Sequence, residues 1–140
     1  MPILISVPGI PVAKGRPRMT RTGHAYTPEK TRAYESKLAW YGAKAMGPHL
    51  PLEGPLSVTL KILLTVPQSW SARKREKALN GDISPVGRPD LDNYIKALDA
   101  LNGIAWKDDS QICRIEACKM YGRLSGLHIV IEPLEIVREG

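Results

Sequence analysis

Near the amino terminus Ile3, Ile5 and Val7 alternate with Leu4 and Ser6. Period two sends neighbouring side chains to opposite faces, so this segment is predicted to be a strand, ended by Pro8, Gly9 and Pro11. From Ala13 to Tyr26, Gly15, Pro17 and Gly23 interrupt a run of bases. That composition suits neither helix nor strand and predicts a surface arm. Thr27-Pro28-Glu29 then reads as an N-cap, a first-turn proline and a dipole-favoured acid. It opens a helix to about Met46, with Tyr34, Leu38, Tyr41 and Ala45 on its apolar stripe.

The strongest alternation follows, with Leu56, Val58, Leu60, Ile62, Leu64 and Val66 set against Ser57, Thr59, Lys61 and Thr65. Its apolar face must meet a core. Ser71 can cap a short helix through Ala78, ended by Asn80-Gly81, and a loop with Pro85, Gly87 and Pro89 leads on. A third helix is expected from about Asp90 to Leu101, stopped by Asn102-Gly103. Two strands, about Gln111 to Tyr121 and Gly126 to Ile131, are read as joined by a hairpin connection over Gly122 to Gly126. The order β-α-β-α-α-β-β predicts an α/β (α+β) domain, residues 1–140, whose mixed sheet of about four strands is packed by helices.

Charge changes this picture from a scaffold to a binder. The 20 Lys and Arg residues exceed the 14 Asp and Glu residues, for a net +6 and a pI near 9.5. Through Ala45 the bases are Lys14, Arg16, Arg18, Arg21, Lys30, Arg32, Lys37 and Lys44, opposed only by Glu29 and Glu35, so the first third carries the whole excess. A polyanion such as nucleic acid is the expected partner. Lys14, Arg16, Arg18 and Arg21 cluster in the arm and are the candidate phosphate contacts, which supply affinity without reading bases. Arg73-Lys74-Arg75 beside Trp70 reads first as a helix edge packed by the tryptophan, with DNA contact as the alternative.

Cys113 and Cys118 are five apart in one expected strand, on opposite faces, and are read as reduced thiols. His24, His49 and His128 are scattered, without zinc spacing. No apolar run approaches the ~20 residues of a membrane span, and there is no signal-peptide pattern, so a cytoplasmic protein without a membrane partner is expected.

Five carboxylates, Asp90, Asp92, Asp99, Asp108 and Asp109, lie in one stretch. At about 100° per residue, Asp92, Lys96 and Asp99 fall on a narrow polar stripe, while Leu91, Ile95, Leu98 and Leu101 form an apolar one. Asp90, at the cap, can lie near the same stripe. Taken singly these features are ordinary: aspartate caps helices, and Asp92 to Lys96 is an i,i+4 pair worth ~0.2 to 0.5 kcal/mol. The second acidic pair, Asp108-Asp109 after Trp106, shifts the balance, because neighbouring carboxylates repel unless a cation sits among them. Oxygen ligands without Cys or His select a hard ion, Mg²⁺ with Mn²⁺ as substitute. A lysine such as Lys96 beside that cluster can hold a phosphate or stabilise its growing charge.

Arg88-Pro89-Asp90-Leu91-Asp92-Asn93, Lys96, Asp99-Ala100-Leu101-Asn102 and Trp106-Lys107-Asp108-Asp109-Ser110-Gln111 together resemble the RusA family of Holliday junction resolvases. Gly15-Arg16-Pro17-Arg18 and Ala25-Tyr26-Thr27-Pro28 resemble the arm and first helix of its phage members, and the match is weakest from Pro48 to Val86. The resemblance implies that Asp90, Asp92 and Asp109 bind metal and that Lys96 is the catalytic lysine. It also implies a homodimer that makes paired nicks in four-way junction DNA in recombination and repair, using Mg²⁺, in a bacterial, phage or prophage setting. The strong alternating strand and the C-terminal strand pair are expected to leave apolar edge for the partner subunit. Two other readings stand beside it. A non-enzymatic basic DNA-binding module explains the arm but not the acids. A metal nuclease of the PD-(D/E)xK class is suggested by Pro89-Asp90 with Glu116 and Lys119, yet a spacing of three puts those two on opposite strand faces.

Overall fold

The structure, a computed structural model, describes residues 2–15, 18–26 and 28–134. In chain order it forms β1 (Ile3–Pro8), β2 (Arg18–Met19), β3 (Ala25–Tyr26), α1 (Glu29–Met46), β4 (Leu56–Thr65), α2 (Ala72–Leu79), α3 (Leu91–Lys96), β5 (Ile112–Gly122) and β6 (Gly126–Pro133). Short 3₁₀ turns cover Ala97–Leu101 and Asp109–Gln111. The four long strands make one mixed sheet, ordered β1-β6-β4-β5. Only the β4–β5 pair is parallel.

Register turns the alternating sequences into rows. Ile5, Ile129, Leu60 and Ala117 cross the sheet in one row, and Val7, Leu127, Ile62 and Lys119 in the next. The apolar members of these rows meet Tyr34, Leu38 and Met46 of α1, Tyr94 of α3 and Leu98 and Leu101 of the following turn. Full burial of each aliphatic side chain contributes roughly 1.5–3 kcal/mol, so this face holds the domain together. The opposite face carries Leu4, Ser6, Lys61, Glu116 and Cys118, all exposed. Helix α1 approaches the 3₁₀ turn closely at Gly42, where an added Cβ would lie 2.5 Å from Leu101 Cδ2.

Several expectations are corrected. The last two strands are not a hairpin: β5 and β6 lie on either side of β4, and the Gly122–Gly126 connection passes over the end of β4. The apolar β4 demands a strand on both edges, and a five-residue link easily crosses the roughly 10 Å between its two neighbours. For the same reason β4 is interior and offers no edge to another subunit. The arm is not wholly irregular, since β2 and β3 pair as a two-residue ribbon. The third helix tightens to 3₁₀ geometry at Ala97, so the α-helical phase that aligned Asp92, Lys96 and Asp99 ends at Lys96. Pro28 stands at the cap position of α1, and Thr27, the expected cap, lies outside the described residues.

Candidate active site

The loop before α3 is tied to the sheet. Lys119 closes an otherwise apolar row of the inner face, and its Nζ donates to the carbonyls of Gly87 (2.9 Å) and Pro89 (3.2 Å). Two anchors immediately before Asp90 fix where the next side chain starts. Asp90 has the extended backbone of an N-cap, and its carbonyl accepts from Asn93 N–H at 3.1 Å. An N-cap aspartate normally turns its carboxylate onto the N–H groups of the first turn. Asp90 makes no such bond. Its exposed carboxylate instead borders a cleft of about 650 Å³, together with Lys14, Gly15, Arg88 and Asn93. One turn on, Asp92 and Lys96 form an exposed pair at 3.7 Å. A pair this open is worth well under 1 kcal/mol and separates readily when a ligand competes.

The second acidic pair is placed by Trp106, which is fully buried and donates its indole N–H to Asn102 Oδ1 at 2.6 Å. Gln111 braces the same turn, donating from Nε2 to the carbonyls of Leu52 (2.9 Å) and Gly54 (3.0 Å). Asp108 caps the turn in the ordinary way. It accepts from Ser110 N–H at 3.1 Å, while Gln111 Oε1 accepts from Asp108 N–H at 3.2 Å. The bonds from Ser110 hold the Asp108 carboxyl below the usual range. Asp109 faces the other way, toward Asp99. A hydrogen bond with Asp99, then desolvation and the charges of Asp99 and Asp108, pushes the Asp109 carboxyl upward.

Lys14 sits against this second group. Its Nζ lies 3.0 Å from Asp99 and 3.8 Å from Glu35, and its backbone N–H donates to Asn93 O at 3.0 Å. The hydrogen bond to Asp99 is the main reason its ammonium is held above the usual lysine value. The start of the arm is thus stitched to α3, and one ammonium faces Asp99 and Glu35, with Asp109 adjoining Asp99. Of the other arm bases, Arg21 is exposed in the turn of the β2–β3 ribbon, closed by Thr20 N–H to His24 O at 2.8 Å. Arg18 begins β2, and Arg16 lies outside the described residues.

The structure therefore forms two acidic subsets, Asp90 with Asp92 on α3 and Asp99 with Asp109 beside Lys14. Among the described residues no three Asp, Glu, His or Cys side chains form a ready-made metal-binding group. Mutual repulsion opposes closer approach of unscreened carboxylates. The donor chemistry suits a hard divalent ion, since Asp90, Asp92 and Asp109 are exposed oxygen donors and Asp90 is uncommitted to its helix. Glu116 pairs in register with Thr59 and Lys119 with Ile62, so they occupy opposite faces, and no PD-(D/E)xK pair forms.

The sequence model of the family described as Endodeoxyribonuclease RusA matches residues 8–132. The chain belongs to the RusA endodeoxyribonuclease family. The match includes both acidic subsets, Lys96 and the basic arm. A relative from Bacillus subtilis (strain 168), described as uncharacterized protein YqaN, is 36% identical over 135 residues, covering 92% of this chain and 94% of its own. The RusA membership makes the chain a nuclease. Lys119, weighed in the sequence only as half of a PD-(D/E)xK pair, serves instead as the tether of the Asp90 loop; the signal for that role is a lysine on the buried parity of β5, shared with Ala117 and Tyr121.

Proposed function

We propose that this RusA family member is a Mg²⁺-dependent, structure-selective endonuclease that resolves four-way DNA junctions by paired nicks, acting as a homodimer. The observation that carries the reading is the uncommitted carboxylate of Asp90, held at the mouth of a cleft that Lys14 and Arg88 also line. Acids alone repel DNA, so a cleft that combines them with bases suits a cation and a phosphodiester together.

Asp90, Asp92 and Asp109 would hold the ion, with Mn²⁺ able to replace Mg²⁺. Such an ion would supply Lewis-acid stabilisation of the scissile phosphate and activation of the attacking water. Lys96 leaves Asp92 to hold a non-bridging phosphate oxygen and to stabilise charge that builds during attack. Arg88 and Lys14 at the cleft, with Arg16, Arg18 and Arg21 on the arm, hold the backbone on either side. Asp99 positions Lys14 and Asp109. One site cuts one strand, and two sites related by a two-fold axis match the near two-fold symmetry of a junction. Free Cys113 and Cys118 and a DNA substrate suit a bacterial cytoplasm, whether the protein is phage or host encoded. No described helix is long and apolar enough to cross a membrane.

The test is incubation of the purified protein with a synthetic four-way junction and a matched linear duplex, with and without Mg²⁺. Junction cleavage only in Mg²⁺, with the linear duplex spared, is the expected result. Tight DNA binding without cleavage, with or without Mg²⁺, would instead favour a non-enzymatic DNA-binding module.

A further inference from the structure

We propose that the groove between α2 and the β5–β6 connection is a second phosphodiester-backbone contact, taking a junction arm a few nucleotides from the cut. The inference rests on the nuclease reading above. The groove measures about 790 Å³ and is lined by Arg75 from α2 and Arg123 from the connection, with Gln68 and Asn80 as further polar groups. Glu76 is the one acid among its lining residues. Two arginines lining one groove from separate elements suit phosphate oxygens, which guanidinium groups engage through paired N–H donors.

The rest of α2 fits this role better than a structural one. Ala78 is its only buried residue, while Arg73, Lys74, Arg75 and Lys77 are all exposed. Among the described residues neither these four bases nor Arg123 makes an ion pair. The helix is nonetheless held in place: Ser71 caps it, accepting from Lys74 N–H at 3.2 Å. Trp70 meets Tyr121 edge-on at 5.4 Å, and Lys74 lies 4.0 Å over the Trp70 ring.

Strand β5 links this groove to the candidate active site. Lys119 anchors the Asp90 loop, Tyr121 holds Trp70, and Arg123 follows the strand. From Lys119 to Arg123 the extended chain covers roughly 13 Å. At about 3.4 Å of rise per nucleotide, that is close to four nucleotides of one strand. DNA seated at Asp90 and running along β5 would reach both arginines.

Fluorescence anisotropy with a labelled junction, Ca²⁺ replacing Mg²⁺ and salt varied, tests the proposal. R75Q/R123Q should raise Kd about tenfold and reduce the slope of log K against log salt by about 1.8, near 0.9 per lost phosphate contact. Each single variant should lose about half of that slope change, and R75K/R123K should retain the slope. K61Q/R114Q removes the same charge from the opposite sheet face and should leave the slope unchanged. A wild-type slope in a folded R75Q/R123Q, or an equal loss in K61Q/R114Q, overturns the proposal while the nuclease reading stands. If the wild-type protein binds no DNA, both fail.

Discussion

Two turns of this molecule begin with an aspartate at the cap position, and they use it in opposite ways. Asp108 turns its carboxylate back on its own backbone, in a capping box completed by Gln111. Asp90 makes no capping bond, and the neighbouring loop is held by Lys119 from another strand. A carboxylate that accepts from its own turn, as Asp108 does from Ser110 N–H, is partly committed before any ligand arrives. A turn held from outside can present a free one. The identity of the cap residue therefore says little about role; the source of the turn's stability says much more.

The largest effect expected from this contrast is on cleavage. Asp90→Asn should reduce junction cutting by at least about a thousandfold with the fold intact, whereas Asp108→Ala should leave most of the activity. Comparable losses in both variants, read by single-turnover cleavage with thermal melting as a control, would erase the distinction. Next in size is the tether. Lys119→Gln should lower kcat about 10- to 100-fold, since displacing a reacting group by an ångström carries that scale of loss, while junction affinity changes little. Lys119→Arg, which can still donate to both carbonyls, should recover part of it. A rise in KM alone would move Lys119 from positioning to DNA contact.

Thermal stability should separate the two members of the second pair. The Asp109 carboxyl is pushed upward by Asp99, so above its ordinary pKa of 3.8 ionisation of Asp109 opposes folding, and protonation relieves it. Asp109→Asn should therefore raise the melting temperature at pH 7 without added metal, even as it abolishes cleavage. Asp108→Ala should lower the melting temperature by a few degrees through loss of the cap. Opposite signs are expected from adjacent aspartates; the same sign would contradict their assigned roles. The smallest effect belongs to the arm, where Arg21→Ala should weaken all DNA binding modestly and reduce the salt slope by about 0.9.

The order of long elements and the mixed sheet are legible in the sequence because period two and period 3.6 are local signals, strong in β4 and α1. Neighbour relations are not local. Nothing within the Gly122–Gly126 connection distinguishes a hairpin from a step over β4; only the need of β4 for two covered edges decides it. The candidate acids were visible as a cluster in the chain. Their division into a capping residue (Asp108), an uncommitted residue (Asp90), a partner of Lys96 (Asp92) and the coupled neighbours Asp99 and Asp109 depends on where the 3₁₀ turns fall and on which carbonyls Lys119 reaches. Lys14 was legible as a base, but its place against Asp99 and Glu35 is a tertiary fact.

Calorimetric titration of Mg²⁺ or Mn²⁺ into the wild-type protein, Asp90→Asn and Asp108→Ala asks whether the cap carboxylate left free by its helix is the one that binds metal. Divalent-ion binding is expected from the wild-type protein and from Asp108→Ala, and its loss from Asp90→Asn. Undiminished binding by Asp90→Asn, or loss confined to Asp108→Ala, would contradict that assignment.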